Sequence, residues 1–426
     1  MFLAGFDFGT SGARVVVIDG DGTELCTAKT SYDLAEERTW QPALWHLIHQ
    51  IPLEIRQALG TITIAGTSGT FVVCDCQGNG QLPVQVYNDS SGRSALATLA
   101  AICPESPVVL SSTSTLARLV NLRSVWQPGW QLVHHSDRVS FFLHRQQGTT
   151  DWHNALKLGF DPVNLSYPPA ILELGFPLPQ VVAPGTIVAP IAPQVARELQ
   201  INPDCQISSG TTDSNAAFLA AVGDNFRGGI GVTSLGSTLT VKILTSQPIF
   251  SREYGVYSHR WHYQGKTYWL AGGASNTGGA VLAHFFTPDQ IAALSNRIDP
   301  QQPTHLHYYP LLHPGERFPI SDPDLAPRLT PRPDREELFL QGLLEGIAEI
   351  ESLGYTRLRE LGAERLIALY TVGGGAKNTT WTAIRQNYLG VPFLPPRHAE
   401  AAYGAALLPR IHGCPLSPVG TAPTES

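Results

Sequence analysis

The chain has 426 residues, with 28 basic and 35 acidic side chains and a net charge of −7. Apolar residues at 43% and charged residues at 15% exclude a disordered chain or a coiled coil, and the length predicts two or three domains with a substantial core. Mild, spread acidity gives no footprint for nucleic acid, no apolar run approaches the ~18 residues of a membrane span, and Met1 to Asp7 lacks the pattern of a signal peptide, so a cytoplasmic protein with neither nucleic-acid nor membrane partners is expected.

In chain order, Phe2 to Phe6 reads as a strand running into Asp7-Phe8-Gly9-Thr10-Ser11-Gly12, and Ala13 to Ile18 as its return before the turn Asp19-Gly20-Asp21-Gly22. Thr61 to Ala65 and Phe71 to Cys74 read as strands around the polar turn Gly66-Thr67-Ser68-Gly69-Thr70. Cys74 and Cys76 are expected on one face of that strand as reduced thiols, because six scattered cysteines make neither a disulfide framework nor a zinc spacing. His134, His135, His144 and His153 also match no metal spacing, and Trp126, Trp130 and Trp152 read as packing residues.

The proline-rich stretch 168–193 reads as a structured surface crossing. A short helix ends at Ala196 to Leu199, Asp204 to Ser208 leads to the turn Gly210-Thr211-Thr212-Asp213, and the alanine-rich Asn215 to Val222 reads as a helix. A second strand, glycine turn and strand follow at Gly229 to Leu235, Gly236-Ser237-Thr238 and Leu239 to Leu244, an echo of the N-terminus that points to an internal duplication. Glu336 to Leu353 carries leucines and isoleucines on one helical face; Leu366 to Val372 is a buried strand feeding Gly373-Gly374-Gly375-Ala376-Lys377-Asn378; a helix from about Thr380 to Leu389 stops at Gly390. Alternation of strands and helices makes the class α/β.

Three glycine turns, around Gly9, Gly236 and Gly374, each leave an apolar strand, a geometry that exposes backbone N–H groups to phosphate. Neither a P-loop nor a dinucleotide fingerprint is present. Asp7 at a strand end could hold Mg²⁺ or its water shell, and Asp213 at a helix start could be a general base or simply a helix cap. Pattern alone leaves both readings of Asp213 open.

The ordered set of motifs resembles the FGGY carbohydrate kinases along essentially the whole chain. Asp7-Phe-Gly-Thr-Ser-Gly-Ala-Arg14 is similar to the family's first phosphate motif, the stretch from Pro177 to Gly210-Thr-Thr-Asp213-Ser-Asn-Ala-Ala to its catalytic-base segment, and Thr233-Ser-Leu-Gly236-Ser237-Thr238 to its second phosphate motif. Gly272-Gly-Ala-Ser-Asn-Thr-Gly-Gly279, Pro314-Gly-Glu-Arg-Phe-Pro319, Leu344-Glu-Gly-Ile-Ala348, Gly373 to Asn378 with Trp381, and Glu400-Ala-Ala-Tyr-Gly-Ala-Ala406 complete the series.

The resemblance implies two ribonuclease-H-like domains, as in actin and hexokinase, around a cleft: residues 1–222, residues 223–399, and a terminal helix, 400–426, returning to the first. It also implies ATP and Mg²⁺ as cofactors, with Asp213 as general base and Asp7 as metal ligand and catalytic partner. Gly9, Thr10 and Ser11 with Gly236, Ser237 and Thr238 would hold phosphate, and Gly374, Gly375, Asn378 and Trp381 the adenosine. Asp7, Ser68, Asp213 and Asp89 would contact sugar; the sugar segment here runs Tyr87-Asn88-Asp89 to Arg93, with wider spacing than the family's. The short subgroup with the Thr-Ser-Gly-Thr turn implies D-ribulose as acceptor, with D-xylulose or a pentitol next, in a monomer or homodimer. A nucleotide-driven regulatory protein of the actin-like superfamily is the alternative of another class.

Overall fold

The computed structural model describes residues 2–411. Its first sheet begins with an antiparallel meander of β1 (Phe2–Gly9), β2 (Gly12–Ile18) and β3 (Glu24–Thr30). β4 (Leu59–Gly66) lies parallel to β1, and β5 (Ile187–Pro190) and β6 (Gln206–Thr212) complete the order β3-β2-β1-β4-β6-β5, with β6 parallel to β4 and β5 antiparallel on the edge. The second sheet contains β7 (Ile230–Leu235), β8 (Leu239–Thr245), β9 (Tyr257–Tyr263), β10 (Lys266–Ala274), β11 (Ala368–Val372) and β12 (Phe393–Leu394), in the order β9-β10-β8-β7-β11-β12. Without one antiparallel edge strand in each, β5 and β9, both sheets share a 3-2-1-4-5 order in which strands 1, 4 and 5 run parallel. The echo between the two glycine hairpins is thus a repeated sheet topology, the ribonuclease-H-like one.

Central strands such as β1 and β4 are covered on both faces and therefore read as nearly continuous apolar runs. The outer face of the first sheet packs on α1 (Trp40–Gln50) and α2 (His135–His144), around Phe6, Trp40, Leu44, Ile62 and Phe142. Between the sheets lie α3 (Asp213–Val222) and, later in the chain, α6 (Ala401–Ile411), whose apolar residues join Leu3 and Val16 to Ile230, Val232 and Trp261 in one core. The second sheet's outer face packs on α4 (Glu336–Glu360) and α5 (Thr379–Leu389). The order of layers is helix, sheet, helix pair, sheet, helix. α6 fits this close to β1 and α3 because Gly5 and Gly404 have no Cβ: one at Gly5 would lie 2.0 Å from the Ala402 carbonyl oxygen, and one at Gly404 1.9 Å from that of Ala216. The remainder of the expected terminal helix, 412–426, lies outside the described residues.

Behind the second sheet, Arg385 of α5 and Glu351 of α4 form a fully buried, two-pronged ion pair (2.6 and 2.7 Å), to which Thr233 of β7 donates at 2.5 Å while Arg385 also donates to Thr371 of β11 at 3.0 Å. Both charges have their hydrogen bonds met, the condition under which a buried ion pair is tolerated.

Several elements differ from the sequence reading. The expected turn at 210–212 is strand: β6 runs to Thr212, with a register shift after Ser208 that accommodates Gly210 against the Ile64 carbonyl. The proline-rich crossing supplies β5 as an edge strand, the position where prolines cost no ladder hydrogen bonds. α4 continues seven residues past Leu353 because Tyr355 and Leu358 extend its buried face. Phe71–Cys74 pairs with Gln131–His134 in a separate two-stranded sheet, and Cys76 lies beyond its end, exposed, while Cys74 is buried, so the two thiols do not share a face. Among the described residues no helix is long and apolar enough to cross a membrane.

Candidate active site

The parallel strands β1 and β6 flank β4, so the carboxyl ends of all three open on the same rim. Asp7 sits two residues from the end of β1, and Asp213 is the first helical residue after β6. Open parallel sheets bind ligands at such a rim. Thr212, not Asp213, occupies the N-cap position of α3, and the Asp213 carboxylate accepts from the Ser214 backbone N–H at 2.7 Å; the cap reading therefore fails.

Asp7 is 6% exposed, and its Oδ1 has no hydrogen-bond partner. Burial, and then the charge of Asp213, push its pKa up to about 7, against the pull of Arg14. Arg14, directly opposite Asp7 in the β1–β2 register, lies 4.0 Å from Asp7 and 3.2 Å from Glu400, just before α6. Burial also raises Asp213, opposed by the Ser214 N–H, by the ammonium groups of Lys157 and Lys242, and by the Ser68 backbone N–H. The structure thus brings Asp7, Ser68 and Asp213 together.

The turn after β4 is firmly held. Thr67 donates through its hydroxyl to the Phe8 carbonyl at 3.3 Å and through its N–H to His135 Nδ1 at 3.1 Å. Arg118 donates to the Gly69 carbonyl and to Val86 O (2.6 Å), and Lys157 Nζ donates to Ser68 O at 3.3 Å. Burial lowers the Arg118 pKa to about 10 and the Lys157 pKa to about 8. Tyr32 donates to the Gly9 carbonyl at 2.8 Å, and burial raises its phenol pKa, with the charges of Asp7 and Asp213 next.

Thr10 and Ser11 form the exposed tip of the β1–β2 hairpin, where Gly9 and Gly12 pair. Gly236, Ser237 and Thr238 form the corresponding tip between β7 and β8, and Gly236 O and Ser237 O accept from Gly279 N (2.8 Å) and Ala280 N (3.0 Å) of the helix behind. Glu316, buried in the Pro314–Pro319 segment, braces that region by accepting from Ser275 Oγ at 2.5 Å, Asn276 N at 2.8 Å and Tyr309 OH at 3.0 Å. A cleft of about 440 Å³ runs between the two halves, lined on one side by Ser111, Lys157 and Ser214 and on the other by Thr240, Lys242 and His259.

Gly374 and Gly375 lie on the turn after β11. Two partners assigned to them act otherwise. Trp381 is 2% exposed and donates from its indole to Leu344 O at 3.1 Å, so it backs the turn from the core instead of lining a pocket. Asn378 caps α5 by accepting from Trp381 N at 2.9 Å, and its amide donates to Ser295 at 2.9 Å. Asp89 accepts from the N–H and hydroxyl of Ser91 at 2.8 and 3.0 Å, and its charge reaches Arg118.

Lys157, Lys242, Arg118 and Tyr32 were not among the expected site residues. One signal existed. The chain holds only five lysines, Lys29, Lys157, Lys242, Lys266 and Lys377, and two of them flank Asp213.

The model of the C-terminal domain of the FGGY family of carbohydrate kinases matches residues 231–410. A D-ribulokinase of Saccharomyces cerevisiae is 22% identical over 276 residues, covering 53% of this chain and 38% of that protein. The chain thus spans well under half the length of this curated relative. Among solved structures, a xyloylose (xylulose) kinase from Brucella ovis superposes with a TM-score of 0.84 at 19% identity, over 97% of this chain and 90% of that one. The ligand-bound xylulose kinase of Lactobacillus acidophilus gives 0.80 at 18%, over 96% and 89%.

Proposed function

We propose that the chain is a carbohydrate kinase of the FGGY type, as the match of residues 231–410 to that family's C-terminal domain supports, and that it transfers the γ-phosphoryl group of ATP to the 5-hydroxyl of a small ketose, D-ribulose above others. FGGY kinases use ATP as phosphate donor. The observation that carries the reading is the convergence of Asp7, Asp213 and the Ser68 backbone at one rim, beside a cleft that Lys157 and Ser214 line from the first half and Thr240 and Lys242 from the second. The acceptor is chosen on the resemblance of the Thr67–Thr70 turn and on the name of the yeast relative.

In this reading residues 1–222 bind the sugar, residues 223–399 bind the nucleotide, and 400–426 return to the first unit. Asp213 takes the proton of the acceptor hydroxyl as its oxygen bonds to the γ-phosphorus and the bond to the β,γ-bridging oxygen breaks, releasing ADP. Burial raises the Asp213 pKa and the nearby lysines oppose it, favouring the ionised carboxylate that a base requires. Gly9, Thr10, Ser11 and Gly236, Ser237, Thr238 hold the phosphates from opposite sides, while Gly374, whose missing side chain faces open space, leaves room for the adenosine and Gly375 lets the turn close on Trp381 and Leu235. The unpartnered Oδ1 of Asp7 fits a hydrated Mg²⁺, which Asp7 would hold and which would neutralise phosphate charge. Ser68 and Asp213 grip the sugar beside the reacting hydroxyl.

The test is ADP release with and without a panel of pentuloses and pentitols, read as kcat/KM. D-Ribulose should give the highest value. A preference for D-xylulose, its epimer at C3, overturns the acceptor; slow ATP hydrolysis accelerated by no sugar overturns the kinase reading and leaves a nucleotide-driven regulatory protein.

A further inference from the structure

Lys242 is the feature of the cleft that the phosphate and base motifs do not account for. It lies on β8 of the second sheet, yet its ammonium donates to Ser214 O at 3.3 Å, in the first turn of the helix that Asp213 begins. The contact therefore crosses the cleft and depends on the two sheets standing this close. Its stem has a prepared channel. A Cβ at Gly272, on the adjacent strand β10, would lie 2.8 Å from Lys242 Cγ, so only glycine at that position leaves the lysine this path. Gly272 opens the Gly272–Gly279 motif, whose first residue thereby acquires a physical reason. The backbone of Lys242 is tied from behind, its carbonyl accepting from Tyr355 OH at 3.4 Å.

Asp213 consequently has two ammonium neighbours of different origin. Lys157 comes from its own half and is anchored on Ser68 O; Lys242 comes from the nucleotide half. We propose that Lys242 is a positioning residue for the base: reaching across the cleft along Gly272 to Ser214 O, it sets its ammonium beside Asp213 and steadies the first turn of α3 only when the halves are together, so that base competence is coupled to closure of the cleft. This rests on the proposed kinase reaction for its purpose, though not for the contact itself. Burial lowers the Lys242 pKa to about 8, so the residue is still predominantly charged at neutral pH. The titratable and charged groups around it are Asp213, Lys157, His259, Tyr257, Arg317 and Tyr355; burial holds His259 well below the usual histidine range and therefore neutral, and burial raises Tyr257 and Tyr355.

The experiment compares Lys242→Met and Lys242→Arg with the wild type in two measurements. In kinetics, Lys242→Met should lower acceptor kcat/KM by about ten- to a hundredfold, with the acid limb of its pH profile moved to higher pH, because removing a cation favours the protonated carboxyl. Lys242→Arg should restore the limb. In ¹³C NMR of aspartate-labelled full-length protein, with the Asp213 signal assigned through Asp213→Asn, the carboxyl titration should move upward in Lys242→Met and return in Lys242→Arg. Unaltered nucleotide affinity checks that the variants are folded. An Asp213 titration unmoved in folded Lys242→Met overturns the inference. A wild type with no sugar-dependent turnover overturns the kinase reading instead, and the NMR titration still decides whether Lys242 governs Asp213.

Discussion

The two sheets share a strand order and a glycine hairpin after their first strand, yet they divide the chemistry unequally. Before the first hairpin β1 carries Asp7, and the parallel strand β6 of the same sheet delivers Asp213. Aligned on the hairpin glycines, the position of Asp7 in the second sheet is Ser234, and the corresponding rim carries the glycines 373–375. The first rim is furnished with two acids and with Lys157 and Arg118 anchored on its turn, whereas the second has no acid at the matching position and turns on glycines. Each half also holds its buried charges differently. In the first half Asp7 is incompletely bonded and raised in pKa, a pattern that clusters at functional sites; in the second the buried ion pair of Glu351 and Arg385 is fully bonded and serves the fold. A repeated topology fixes where ligands can sit, and the side chains at the strand ends decide what is done to them.

This division can be broken first at Asp213. Asp213→Ala should cut kcat by about 10²–10⁴ while nucleotide affinity, measured by fluorescence titration, stays near wild type. A sugar-dependent rate unchanged in the folded variant would remove the base from the first half. The second half should fail by unfolding instead. Glu351→Gln leaves Arg385 buried without its counter-charge and should cost about 3–5 kcal/mol in chemical denaturation; a loss under 1 kcal/mol would mean that the pair is dispensable to the second sheet.

Ser68→Ala sharpens the comparison at the sugar end. Loss of one buried hydrogen bond should cost about 1–3 kcal/mol in kcat/KM for D-ribulose, mainly through KM, in steady-state assays on both ketoses. Wild-type behaviour of that variant on ribulose would take Ser68 out of the sugar site. A separate effect, on stability and not on turnover, is the response to pH. Burial depresses the folded pKa of His135 to about 3 and of His144 to about 4, below their ordinary 6.5. Between those values the unfolded chain binds the additional protons, so stability is present above pH ~6.5 and is lost as pH falls. Hydrogen exchange between pH 7 and 4.5 should show protection falling first around α2; an even loss across both sheets would dispute the assignment to these histidines.

Much of this was legible in the residues themselves. β1, β2, β7 and β8 follow from apolar and β-branched runs punctuated by glycine, and α5 from its stop at Gly390, in the left-handed conformation. These are local signals, set by backbone sterics and by periodicity. Ordered along the chain, the same turns also placed Asp7 and Asp213 as candidates. The tertiary structure alone decided what depends on distant neighbours: that residues 210–212 extend a strand, that Trp381 backs the Gly373–Gly375 turn from the core, and that Lys157 and Lys242 meet at Asp213. A lysine carries no local mark of the charge it will face. Lys242 stands 29 positions after Asp213 on another sheet, and only the folding of the two halves onto the shared helices α3 and α6 brings its ammonium to the first turn of α3.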